Sequence, residues 1–222
     1  MKPRLVVFAS GTKEGGGSGF ENIVNTSRSG ILDADIVGVV SNHEHGGVRK
    51  RADRLGIPFI YFDPSQHSNI LKNVGMLYRE IIEKSGAEWA ALSGWFKQVH
   101  GLDSAKTFNI HPALLSQLGG RFGGRGMYGK QLHESVKSAL DAGEIAESGF
   151  TMHFVTEKVD RGPVFFEYKV PLQKGMSTEK IEKAVRAAEH EWQPKITNMV
   201  VHGQIRWDGK DPKTLVVPTD FK

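Results

Sequence analysis

The sequence predicts an α/β domain built on one mostly parallel, twisted sheet with helices on both faces. Three observations carry this. Between Arg4 and Ser10 every residue is apolar, the pattern of a strand buried on both sides of a parallel sheet rather than the alternation of a half-exposed one. Strand-like runs then alternate with helix-like ones along the chain, which implies right-handed βαβ units. Finally, 222 residues with 39% hydrophobic and 24% charged content suffice for one sizeable core, and no linker, repeat or low-complexity tract divides them.

The first strand leads into a glycine-rich loop, Gly11 to Gly19, ending Gly15-Gly16-Gly17-Ser18-Gly19. Phe20-Glu21-Asn22-Ile23-Val24 then opens a helix that ends near Gly30. Asp35 to Ser41 is a second strand. Gly47 to Leu55 is a helix closed by Gly56-Ile57-Pro58, because glycine takes the left-handed cap and proline cannot continue the helix. Phe59 to Phe62 is a third strand, and a long helix runs from about Asn69 to Lys84. Trp89 to Trp95 is the fourth strand and Thr107 to Ile110 the fifth, stopped by Pro112, which has no N–H for the ladder. Gly119 to Gly129 is a second glycine-rich loop. Gln131 to Asp141 is a helix ending at Gly143. Gly149 to Val155 and Val164 to Val170 are β runs, and the Asp160-Arg161-Gly162-Pro163 stretch between them is tight-turn chemistry. Ser177 caps a last helix that reaches about Val201, with Glu179 in its first turn where the dipole favours an acid. Trp207 to Lys222, polar with two prolines, reads as a surface meander.

Composition narrows the function classes. The absence of cysteine removes disulfides, thiolate nucleophiles and cysteine metal sites. A formal charge of +4 and a pI near 9.2 are mildly basic, and the basic residues are scattered. Their one cluster, Arg49-Lys50-Arg51, reads as a solvated helix face, so nucleic acid is not an expected partner and small anionic substrates suit the charge better. The apolar start is too short for a signal peptide, and no later run approaches the length of a membrane span, so no membrane partner and a cytoplasmic location are expected. There are nine histidines but no His-Glu-x-x-His, and no metal is expected. Oligomeric state is not legible.

The chemistry centres on Phe108-Asn109-Ile110-His111-Pro112-Ala113-Leu114-Leu115. Asn109 and His111 are two apart on an extended backbone and so share a face at the mouth of a strand. An amide and an imidazole there can both donate to an oxygen gaining negative charge. Ligands of such sheets sit beyond the carboxyl ends of the strands, where Ser10, Asn42, Phe96 and His111 all fall. The strand–glycine loop–helix unit at Gly11 to Val24 presents backbone N–H groups to a phosphate, although its spacing is neither a dinucleotide fingerprint nor a P-loop. Taken alone, Asn-x-His is equally a pair of strand-end groups serving nearby backbone, and Asp160 a turn carboxylate bonded to its own backbone.

The stretch Asn109 to Leu115, then His153-Phe154-Val155, then Asp160-x-Gly162-Pro163, resembles the folate-dependent formyltransferases. Gly17-Ser18, Leu92-Ser93-Gly94-Trp95-Phe96, Gly123 to Gly129 and Ala188-Glu189-His190 extend the resemblance from Arg4 to about Gly203. It implies a single Rossmann-like formyltransferase domain over residues 1–222. Residues 1–100 would form a phosphate-binding half, 101–203 a folate and catalytic half, and 204–222 a surface tail. It further implies transfer of the formyl group of the co-substrate 10-formyltetrahydrofolate to the amine of 5-phosphoribosylglycinamide, a step of purine biosynthesis. Asn109, His111 and Asp160 would be catalytic, with Asp160 holding His111 protonated or relaying a proton. Gly17, Ser18, Gly19, Arg186 and Glu189 would bind the acceptor. Leu92, Phe96, Lys97, Val99, Val155 and Thr156 would line the folate site.

The chain departs from the family pattern in several places. Thr12-Lys13-Glu14 is inserted in the first glycine loop and is read as a flap, ordered only with substrate, with Lys13 adding a charge. Gly19 replaces a common Asn, Lys97 a common Arg, Ser116 a common Pro, and Arg161 the small residue after Asp160. Two other readings use the same residues: a formyltransferase acting on a sugar-nucleotide amine, and a non-catalytic nucleotide-binding module. Under the second, Asn109, His111 and Asp160 would have no reason to meet.

Overall fold

The computed structural model describes residues 1–67 and 71–219. The chain forms β1 (Arg4–Phe8), α1 (Ser18–Arg28), β2 (Asp35–Ser41), α2 (Gly47–Leu55), β3 (Phe59–Tyr61), α3 (Leu71–Ser85), β4 (Trp89–Ser93), β5 (Thr107–His111), α4 (Gly129–Asp141), β6 (Glu147–Phe154), β7 (Val164–Pro171) and α5 (Thr178–Val201). The seven strands make one sheet in the order β3-β2-β1-β4-β5-β6-β7. The first five are parallel, whereas β6 runs antiparallel to β5 and β7 antiparallel to β6. The expected start of α3 at Asn69 lies outside the described residues, as do the last three residues of the tail.

β1 sits at the centre for the reason its sequence gives. Leu5 and Val7 enter a core shared with α1, α2 and α5, while Val6 and Phe8 enter a second core on the opposite face with Val74 and Tyr78 of α3. All four are fully buried. A third cluster joins Leu132 and Val136 of α4 to Ile181 of α5 around Phe122. Helices therefore cover both faces, and the strand order reverses beside β1, which opens a crevice at the carboxyl ends of β1, β4 and β5.

The described tail runs over the surface from an anchored start. Ile205 and Trp207 are buried in the first core, Trp207 donates its indole N–H to Asp211 O at 2.7 Å, and Arg206 pairs with Val216. A tryptophan in a polar stretch finds a core when the preceding helix ends beside one.

Candidate active site

A cavity of about 1040 Å³ fills that crevice. At its inner end, β5 presents Asn109 and His111. The antiparallel register sets Asn109 opposite His153 of β6, and Asn109 Nδ2 lies 3.1 Å from His153 Nε2. His153 Nδ1 lies 2.9 Å from Phe154 O, so a proton on Nδ1 leaves Nε2 to accept from the amide. His111 Nε2 lies 2.6 Å from Phe122 O. In the neutral ring Nε2–H is thus the donor, and Nδ1 faces Asp160, whose Oδ2 is 3.7 Å away. Asp160 completes the cluster: its Oδ1 stands 3.6 Å from His153 Nε2, and its Oδ2 accepts from the Gly124 N–H at 2.9 Å. The residue holds a left-handed backbone, φ 53°, which aspartate tolerates in turns.

Burial pushes His111 below the ordinary histidine value, outweighing the upward pull of Asp160 and of the Phe122 carbonyl. Burial pulls Asp160 upward, but the His153 ring 3.6 Å away, the nearby His111 ring and the Gly124 N–H together keep its carboxyl below the usual range. These directions describe a resting pair of a neutral imidazole beside a carboxylate. His153 was quoted for the resemblance but given no role; its contact with Asn109 depends on a strand direction that hydrophobic periodicity does not carry.

The other end of the cavity is the loop between β1 and α1. Gly17 caps α1 in the left-handed region, φ 81°, which leaves the first-turn N–H groups beyond it open. The loop packs tightly on α2: a Cβ at Gly47 would stand 2.2 Å from Gly15 O. Thr12 closes the inserted segment as a turn. Its N–H donates to Gly15 O at 2.8 Å, and its Oγ1 accepts from the Gly15 N–H at 2.8 Å. Thr12 touches the cavity, whereas Lys13 and Glu14 lie outside its lining.

Gly17, Ser18, Gly19, Arg186 and Glu189 all line the cavity. Arg186 is exposed and ion-paired with Glu182 one turn earlier on α5. Burial pushes the Glu189 carboxyl up to about 8, with Arg186 opposing. His190 and Gln193 of α5 and Arg51 of α2 line the same cavity, and sequence reasoning gave them no role there. Arg51 in particular is not on a solvated face.

Of the six residues expected at a folate wall, Phe96 and Lys97 line the cavity. Phe96 stacks on Tyr128 with ring centroids 5.1 Å apart, and Lys97 pairs with Asp63 at 3.5 Å. Leu92, Val99, Val155 and Thr156 do not reach the lining. Leu92 and Val99 are buried in the core under α3, Val155 packs against that core, and the Thr156 hydroxyl is spent on Lys158 O within its own loop. The 95–98 segment is nevertheless firmly placed. The Tyr78 hydroxyl accepts from the Trp95 indole at 3.3 Å and donates to Gln98 O at 3.1 Å, while Ser10 Oγ accepts from the Phe96 N–H at 3.0 Å.

Among the described residues no group of three or more His, Asp or Glu side chains is arranged to hold a metal ion, and no helix is long and apolar enough to cross a membrane. Comparison with known proteins agrees with the geometry. A chloroplastic phosphoribosylglycinamide formyltransferase of Arabidopsis thaliana is 29% identical over 214 residues, 93% of this chain and 68% of the relative. The trifunctional purine biosynthetic protein adenosine-3 of Gallus gallus is 29% identical over 209 residues, 92% of this chain but only 19% of that longer protein. The crystal structure of glycinamide ribonucleotide transformylase 1 from Geobacillus kaustophilus superposes with a TM-score of 0.74 at 29% identity, covering 90% of this chain and all of that one. The profile described as formyl transferase matches residues 3–197, and the chain belongs to the formyl transferase family.

Proposed function

We propose that the protein transfers the formyl group of 10-formyltetrahydrofolate to the amine of 5-phosphoribosylglycinamide, with Asn109, His111 and Asp160 as the reacting residues. The observation that carries this is one cavity with two chemically different ends. Asn109, His111 and Asp160 meet at one end, and open helix N–H groups with Glu189 on α5 stand at the other. A binding module would have no use for the first end.

The residues fit the reaction. The acceptor amine attacks the formyl carbon, its electron pair forms the new C–N bond, and the carbonyl π pair moves onto oxygen. Neutral His111 takes the amine proton at Nδ1, and Asp160 stabilises the resulting imidazolium across 3.7 Å. Asn109 keeps an amide N–H beyond its bond to His153 and donates it to the oxyanion. Collapse re-forms the carbonyl and expels the folate nitrogen, to which His111 returns its proton. Glu189, whose carboxyl burial raises to about 8 in the free protein, offers polar oxygens to the acceptor at its own end of the cavity. Phe96 and Tyr128 offer flat faces to the aromatic donor.

The test is an assay of the purified protein with 10-formyltetrahydrofolate and phosphoribosylglycinamide, following formylated product. The unaltered protein should turn over. His111→Ala should lose on the order of 10²-fold or more in kcat while folate affinity stays within a few-fold. Full activity in that variant would remove His111 from the mechanism.

A further inference from the structure

A Cβ built on Gly19, in the first turn of α1, would stand 2.4 Å from the Ser93 hydroxyl and 3.7 Å from Gln193 Oε1. The start of α1, the carboxyl end of β4 and the middle of α5 thus converge on one point. Ser93 is 7% exposed and Gln193 2%, and both line the cavity. Among the described residues neither side chain has a hydrogen-bond partner. A buried amide and a buried hydroxyl are nearly always paired. Here the partners have to come from whatever fills the cavity.

The pair lies between the two ends described above. In the register of β4 and β5, Ser93 stands beside Ile110, between Asn109 and His111. On its other side is Gly19, which follows Ser18 at the opening of α1. Gln193 lies one turn beyond Glu189 on the same face of α5. Neither side chain carries a charge, so neither favours a phosphate or an amine. Each both donates and accepts, as the hydroxyls of a sugar do. In 5-phosphoribosylglycinamide the ribose joins the phosphate to the glycinamide. Gly19 stands where an asparagine is common, and any Cβ there would turn the Ser93 hydroxyl aside.

We propose that Ser93 and Gln193 hold the ribose hydroxyls of the acceptor and so set its specificity. This rests on the reading of the acceptor given above, and the experiment separates the two. Ser93→Ala, Gln193→Met and Thr197→Val are compared. Thr197 is one turn further along α5, with a buried, unpartnered hydroxyl that does not reach the cavity. Steady-state kinetics give both KM values, and calorimetry gives the affinities for inorganic phosphate and ribose 5-phosphate. Gln193→Met should raise the acceptor KM by roughly tenfold and Ser93→Ala by about fivefold, with the folate KM and kcat within a few-fold. Phosphate affinity should stay within about twofold in both. Ribose 5-phosphate should bind the unaltered protein more tightly than phosphate does, and each variant should lose that margin. Thr197→Val should leave every value within about twofold. Gly19→Asn should raise the acceptor KM more in the unaltered protein than in the Ser93→Ala background, where the nearest atoms to its Cβ are 3.7 Å away. If thermal melting shows that Gln193→Met does not fold, Ser93→Ala decides. Unchanged acceptor KM in the folded variants would overturn the proposal. So would an equal loss of phosphate and ribose 5-phosphate, an effect of Thr197→Val as large as that of Gln193→Met, or an equal effect of Gly19→Asn in both backgrounds. If no product forms with phosphoribosylglycinamide, the acceptor reading fails. The ribose 5-phosphate margin then decides the sugar site alone: its loss in Ser93→Ala and Gln193→Met upholds the site, and an absent or unchanged margin refutes it.

Discussion

A neutral imidazole beside a carboxylate is a proton acceptor whose product is stabilised in advance. In the proposed mechanism His111 needs no proton removed before it acts, and Asp160 becomes most useful once the proton has arrived. The sign of the pH dependence follows. Burial lowers the His111 pKa and Asp160 raises it part of the way back. Removing the charge in Asp160→Asn should lower it further, so the acid limb of kcat/KM should move to lower pH. The plateau should fall by about 10²-fold or more, because the imidazolium loses its partner. A pH–rate profile of the two proteins measures both; an acid limb that stays in place or moves upward would show that Asp160 does not face the titrating ring. Asn109 and His111 were legible in the sequence because spacing by two at a strand end fixes a shared face. Asp160 was legible only through resemblance, since a turn aspartate is equally a cap for its own backbone. Arg51 was not legible: in a run of basic residues on a short helix, nothing local says which one faces inward.

At the scale of elements, the end of α5 is the least expected feature. Pro194 lies inside the helix and has no N–H to give His190 O. Asn22 of α1 supplies the missing donor, its Nδ2 lying 2.7 Å from that carbonyl. The same bond ties the helix that begins at the glycine loop to the turn that carries Glu189 and His190. Asn22→Ala should therefore cost about 1–3 kcal/mol by leaving a part-buried carbonyl unpaired. It should lower the melting temperature by about 2–4 °C for each kcal/mol. It should also raise the acceptor KM while sparing the folate KM. Unchanged stability would mean that water replaces the amide at no cost. Helix limits such as Gly47–Leu55 were legible because glycine and proline bound them. The antiparallel direction of β6 and β7 was not, because alternation is the same whichever way a strand runs.

For the whole molecule, the two ends of the cavity hang on different scaffolding. The end proposed for the phosphate is framed by α1, α2 and α5 over the first core. The reacting and aromatic end is framed by β5, the 95–98 segment pinned to Tyr78, and the second glycine loop above the third core. One sheet carries both, so ligands at either end stabilise a single folding unit through contacts they do not share. A ligand that binds only the native state at about 100 times its Kd adds about 2.7 kcal/mol. For a chain of this size that corresponds to a rise of about 5–11 °C in melting temperature. Inorganic phosphate and tetrahydrofolate, each at such a concentration, should each produce a rise of that order. Together they should give the sum to within about 0.5 kcal/mol, as expected of sites without common partners. Thermal unfolding with each ligand alone and with both provides the measurement. If the pair stabilises no more than the better of the two, they compete for one place, and the division of the cavity into a phosphate end and a folate end is wrong.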